Sequence, residues 1–139
     1  MKRRALQAGP LRIEIGVEGS QLRTVDFPKT VPPDLEAGHL RAMLAMLEEF
    51  EVTFDDAPPF HRKVWHRLRK IPWGSALTYA EMAAAVGSPR GFRAVGQACA
   101  ANPLPIIVPC HRILAQAGLG GFSGGLDWKR KLLELESEP

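Results

Sequence analysis

At 139 residues, with 45% hydrophobic and 24% charged residues, the chain suffices for one compact domain or a small domain with a short companion, and its composition excludes a disordered or low-complexity protein. No apolar run approaches the ~20 residues that span a bilayer, and the segment after Met1-Lys2-Arg3-Arg4 is too short and polar for a secretory core, so a cytoplasmic protein without membrane contact is expected. The net charge of +3 is unevenly divided: residues 1–60 hold seven Lys+Arg against ten Asp+Glu and residues 61–139 eleven against five, so a polyanion would bind the second part.

Taken in chain order, residues 11–27 alternate apolar and polar on both sides of Gly19-Ser20, which predicts a β-hairpin closed off by Pro28, Pro32 and Pro33. From Asp34 to Phe50, Leu35, Leu40, Met43, Leu44 and Leu47 fall at helical spacing, with Glu48 and Glu49 outside. The stretch Asp55-Asp56-Ala57-Pro58-Pro59 reads as a linker, dividing the chain into a reduced N-terminal subdomain, 1–56, and a larger unit, 57–139. A helix over Phe60–Ile71 puts Val64, Trp65 and Leu68 on one face and stops at Ile71-Pro72-Trp73-Gly74.

Thr78-Tyr79-Ala80-Glu81 is a capping box that starts the next helix, which Gly87 closes. Ser88-Pro89, with Ser as cap and Pro at the first position, predicts the start of another helix running to Ala101. Two short helices joined by a Gly-containing turn form a helix-turn-helix unit. The many Gly and Ala residues of the second suit either a helix laid in a DNA groove or one tucked against a sheet. The predicted class is α/β (α+β): a hairpin-and-helix subdomain followed by a helical, winged-helix-like unit.

Two apolar runs then flank a polar centre, Ile106-Ile107-Val108-Pro109-Cys110-His111-Arg112-Ile113-Leu114. The flanks bury the segment, where a Cys beside a base and a guanidinium is poorly explained by packing alone. Cys99, among alanines, reads as a small buried hydrophobe. A reducing compartment keeps both cysteines as thiols. His39, His61 and His66 have no Cys or His partners at ligand spacing, so no metal is assigned.

Val108-Pro109-Cys110-His111-Arg112-Ile113-Leu114 resembles the signature of the O6-alkylguanine-DNA alkyltransferases, the methylated-DNA–protein-cysteine methyltransferases. The resemblance extends in order and spacing through Phe60…Val64-Trp65, Ile71-Pro72-Trp73-Gly74, Thr78-Tyr79, Arg93-Ala94-Val95-Gly96 and Ala101-Asn102-Pro103 upstream. Downstream it takes in Gly121-Phe122-Ser123-Gly124-Gly125-Leu126 and Lys129-Arg130…Leu132-Leu133…Glu136, covering about Phe60 to Glu136; over residues 1–56 it is loose.

The resemblance implies a monomeric DNA repair protein without cofactor that binds the minor groove, flips O6-alkylguanine, chiefly O6-methylguanine, out of the duplex, and moves the alkyl group irreversibly onto Cys110. It implies His111 as the base, acting by way of a water, Glu136 as the carboxylate orienting it, and Tyr79 as donor to the leaving guanine. Arg93 matches a finger that fills the vacated stack, with Ala94, Gly96 and Gln97 on the same DNA-facing helix. Asn102 matches a hinge between that helix and the reactive turn. Val108, Pro109, Phe122, Ser123 and Gly124 would wall the base pocket.

Two positions depart from the family's usual residues: Phe122, where Tyr is common, and Lys131, where Trp is common, with Trp128 one turn earlier able to fill that space. Three other readings stand beside the transferase. A non-reacting lesion sensor resembling the alkyltransferase-like proteins would lack the reactive Cys. A helix-turn-helix regulator would dimerise over two half-sites, and a cysteine hydrolase would turn over repeatedly.

Overall fold

In the computed structural model, residues 1–122 and 124–138 are described here. The architecture is mixed α/β. An antiparallel sheet of β1 (Lys2–Ala8), β2 (Leu11–Glu18) and β3 (Gln21–Asp26), in that order, precedes helix α1 (Ala37–Leu47). Then come α2 (Pro59–Leu68), β4 (Leu77–Thr78), α3 (Tyr79–Ala85), α4 (Phe92–Ala100), a 3-10 turn (Cys110–Arg112), β5 (Ile113–Leu114) and α5 (Leu126–Glu136).

The expected hairpin is present as β2 and β3, turning at Gly19 with φ +61°. The sequence reading missed β1, which pairs with β2 from Lys2↔Val17 to Ala8↔Leu11. All but two of its side chains are exposed, so it shows little apolar alternation, and Lys2, Arg3 and Arg4 keep this edge strand from pairing with another chain. Helix α1 is shorter than its apolar spacing predicts. Leu35 is buried before the helix, in a turn where its N–H reaches Pro32 O, and the Glu36 N–H is capped by His39 Nδ1 at 3.0 Å.

The box at the start of α3 forms as expected, with Glu81 N–H donating to Thr78 Oγ1 at 3.0 Å and Thr78 N–H to Glu81 Oε1 at 2.9 Å. Ser88 does not cap the next helix. Ser88 O instead accepts from Gly91 N–H at 2.7 Å, so Ser88-Pro89-Arg90-Gly91 is a separate turn and α4 begins at Phe92. Proline fits that turn's second position as readily as a helix's first, which is why the pattern misled.

A single apolar cluster joins the sheet to the helices. Trp128 of α5 is 1% exposed, stacks on Phe27 at 4.7 Å between ring centroids and donates Nε1–H to Pro28 O at 2.8 Å. Trp65 of α2 meets Phe54 edge-on and donates to Ala98 O of α4 at 2.8 Å, fixing α2 against α4. No described helix is long and apolar enough to cross a membrane.

Candidate active site

The segment from α4 to the 3-10 turn is held largely by one amide. Asn102 Nδ2–H donates to Val108 O at 2.8 Å while its Oδ1 accepts from Leu104 N–H at 2.9 Å. Between them the chain reverses through Ile106 at φ +66°, a conformation a β-branched residue adopts only when its surroundings force it, at a cost on the order of 1–3 kcal/mol. Cys110 N–H reaches Val108 O at 2.8 Å and Arg112 N–H reaches Pro109 O at 3.0 Å, which sets the 3-10 turn. The turn runs into β5, paired in parallel with β4 just ahead of Tyr79. Cys110 and Tyr79 are thereby fixed to one short ladder.

Behind the cysteine lies a buried charge cluster. Glu136, 4% exposed, accepts from His111 Nε2 at 2.6 Å, from Arg112 Nε at 2.7 Å and from Arg112 Nη2 at 3.0 Å, and Arg112 Nη1 donates to Ile71 O at 2.6 Å. Burial pushes the Glu136 carboxyl up, but its hydrogen bonds from His111 and Arg112, with the charge of Arg112, overcome that and hold it down to about 2. Burial acts in the same direction on His111 as on any base, lowering it further than the carboxylate raises it, so the ring is neutral at pH 7. A neutral ring that donates from Nε2 keeps the lone pair on Nδ1, and Nδ1 is buried with no hydrogen-bond partner among the described residues.

Cys110 is 4% exposed and borders a cavity of about 120 Å³ lined also by Tyr79, Gly96, Cys99, Ala100, Gly121 and Phe122. Burial pushes its thiol up, opposed by the Asn102 amide and by the charge of Lys129. The cation that acts on the thiol is therefore Lys129, whereas the neighbouring Arg112 is spent on Glu136 and Ile71. Lys129, 0% exposed, donates to Ile113 O at 2.6 Å and Gly121 O at 3.0 Å, tying the cavity wall to β5. Burial pushes Cys99 up to about 12, so it stays a thiol. Burial and Cys99 also raise the Tyr79 phenol, which remains a donor. Its ring lies so close to Gly120, at φ +73°, that a Cβ there would be 2.9 Å from Tyr79 Cε2.

The structure gathers Cys110, His111, Glu136, Tyr79, Gly96 and Phe122 in one place. Arg93 and Gln97 are exposed on α4, and Ala94 is half-buried. Three expected wall residues stand elsewhere. Val108 is fully buried and contributes its carbonyl to Asn102; Pro109 borders a separate cleft with Ile71 and Trp73; Gly124 borders another with Phe27 and Asn102. On the α4 side, Gly96 and Ala100 line the cavity that Cys110 borders. Ser123 lies outside the described residues. Lys131 is half-buried and 3.7 Å from Glu134, while Trp128 takes the core position. His39 caps α1, and His61 and His66 pack on Trp65 and Phe54.

Sequence reasoning missed Lys129, Cys99 and Gly121 as parts of the site. A signal existed for Lys129: with Trp128, Leu132, Leu135 and Glu136 it falls on the buried stripe of α5, where a lysine without a function is rare.

The family described as 6-O-methylguanine DNA methyltransferase, DNA binding domain, matches residues 59–138. The chain belongs to this methyltransferase family. Within the family, it is 48% identical over 80 residues to a probable methylated-DNA–protein-cysteine methyltransferase of Acanthamoeba polyphaga mimivirus, a match spanning 58% of this chain and 54% of that protein. It is 33% identical over 146 residues to the methylated-DNA–protein-cysteine methyltransferase of Haemophilus influenzae, covering 92% and 82%. The chain spans about half the length of several such curated relatives, 56% for that of Metallosphaera sedula. The crystal structure of Mycobacterium tuberculosis OGT in complex with DNA superposes over 99% of this chain and 93% of that one, with TM-score 0.79 and 31% identity. Schizosaccharomyces pombe Atl1, in complex with damaged DNA containing O6-carboxymethylguanine, covers 60% of this chain and 78% of its own, with TM-score 0.51 and 33% identity.

Proposed function

We propose that this chain is a monomeric DNA repair methyltransferase that flips O6-alkylguanine, chiefly O6-methylguanine, from duplex DNA and transfers the alkyl group to Cys110, once per molecule. The observation that carries the reading is a cysteine at a small cavity walled by glycine, alanine and two aromatic rings, with a neutral His held by a carboxylate next to it in the chain. A base turned into such a space meets the sulfur, which it cannot do inside the stack.

The step balances as a displacement at saturated carbon. The Cys110 proton passes, through a water, to His111 Nδ1, the ring nitrogen without a partner among the described residues. The sulfur forms a bond to the alkyl carbon, the C–O6 bond breaks with its electron pair going to the guanine, and Tyr79 donates a hydrogen bond to the leaving base. Glu136, ionised and bound to Arg112, keeps the Nε2 proton in place and stabilises the imidazolium. The thioether has no easy route back, so the chain is consumed. Asn102 sets the turn, Arg93 fills the vacated stack, and Ala94, Gly96 and Gln97 belong to the helix set against the minor groove, where contacts to the phosphate backbone make binding strongly salt-dependent.

One observation favours a second reading, a lesion-binding protein that does not react: Cys110 is only 4% exposed, and burial disfavours the thiolate that would attack. Intact-protein mass spectrometry after mixing with an O6-methylguanine duplex separates the two. A stoichiometric gain of one CH2, absent with undamaged duplex and with Cys110→Ala, is expected. An unchanged mass with tighter binding to the lesion duplex than to its control would replace the transferase by the sensor.

A further inference from the structure

The first turn of α4 carries a side chain that the reading above leaves unused. Phe92 is 51% exposed, and with Met1 and Leu126 makes up the exposed large hydrophobics among the described residues. Helical spacing puts Phe92, Gly96 and Cys99 on one stripe, and the last two border the Cys110 cavity. Phe92 therefore stands one turn beyond the cavity on the wall that leads into it. Helical side chains lean toward the N-terminus, so its ring projects away from the cavity, outward past the helix start.

Its surroundings fit a polyanion. Arg90 and Arg93 flank it, both exposed, and neither makes an ion pair with a described residue. Beside Arg93 and Gln97, the stripe that continues from Phe92 is small, with Gly96 and Ala100 allowing close approach. A bulky apolar ring at the leading end of this face would hold the helix off a groove about 6 Å wide unless it entered the stack.

We propose that Phe92 is a second DNA probe, an apolar wedge inserted at the base step beside the flipped nucleotide, while Arg93 fills the space the base vacates. This rests on the base-flipping reading above. The wedge opens the step and so lowers the cost of turning the base out, which makes Phe92 a determinant of duplex recognition rather than of the transfer itself.

The test compares wild type with Phe92→Ala and Phe92→Trp on two substrates, a lesion duplex and free O6-benzylguanine, following alkylation of Cys110 by mass. Phe92→Ala is expected to lower the duplex rate constant about tenfold, the loss of one ring stacked on a base, while reaction with the free base stays within about twofold and Phe92→Trp restores the duplex rate. In a parallel arm, 2-aminopurine beside the lesion reports unstacking when Cys110→Ala protein binds; the fluorescence rise is expected, and is expected to vanish in Cys110→Ala/Phe92→Ala. An unchanged duplex rate, an unchanged fluorescence rise, or an equal loss on both substrates would overturn the wedge. The fluorescence arm needs no transfer, so a chain that never gains an alkyl group would defeat the transferase while leaving the wedge to be decided by 2-aminopurine.

Discussion

Helix α5 carries two buried charges, Lys129 near its start and Glu136 at its end, that solve the same physical problem differently. Both oppose the helix dipole, which favours acids at the N-terminus and bases at the C-terminus, so neither is there to stabilise the helix. Glu136 has three hydrogen bonds from two side chains, one a full cation, and is held ionised far below the usual carboxylate range. Among the described residues Lys129 has the carbonyls of Ile113 and Gly121 alone, and burial lowers it while the two cysteines pull it back up. One charge is closed by a side-chain cation; the other, held by backbone carbonyls, lowers the Cys110 thiol against its burial.

The comparison is broken most severely at its closed end. Glu136→Gln leaves the Arg112 guanidinium buried without its anion and is expected to cost about 3–5 kcal/mol in chemical denaturation, since removing one partner strands the other. A loss under about 1 kcal/mol would show that water reaches the cluster.

Acid should act on the same pair. Because the folded Glu136 carboxyl sits at about 2 against an ordinary 4.5, its contribution is complete above pH 4.5 and is lost as pH falls toward 2. That contribution is about 3 kcal/mol. His111, lowered from 6.5, makes the unfolded chain bind a proton first, so stability begins to decline below about pH 6.5. Unfolding free energies measured from pH 7 to 3 should follow this slope in the wild type and flatten below pH 4.5 in Glu136→Gln.

Lys129→Met sharpens the contrast, because it breaks no ion pair. Stability should change by less than about 2 kcal/mol, loss of the two carbonyl bonds being offset by relief of a buried ammonium. The pH profile of Cys110 alkylation by iodoacetamide should nevertheless move upward, as the one cation acting on the thiol is gone. An unmoved profile would make Lys129 a strut and nothing more. The smallest effect belongs to Thr78→Ala, which removes the α3 cap for about 1 kcal/mol in thermal unfolding and should leave the alkylation profile where it was.

What the sequence disclosed followed from local rules. The β2–β3 hairpin, the Thr78–Glu81 box and the apolar faces of α1 and α2 are set by residues near each other in the chain, and each is found. The Pro109-Cys110-His111-Arg112 turn was legible because its residue types are costly to bury without a purpose. What stayed hidden depends on distant partners. β1 is a strand because β2 is beside it; Arg112 faces away from the cysteine because Glu136 arrives from 24 residues on. That Gly96 and Ala100 line the same cavity as Cys110 was hidden for the same reason, since only the packing of α4 over the turn brings them there.

In the proposed reaction Cys110, and not Cys99, the second thiol of the same cavity, accepts the alkyl group. Trypsin leaves both in one peptide, Ala94 to Arg112, so fragmentation spectra of that peptide after reaction with an O6-methylguanine duplex decide it. The added CH2 is expected wholly on fragments containing Cys110, at one per chain and with no turnover when duplex is in excess. A methyl group on Cys99, or more than one lesion repaired per chain, would contradict it.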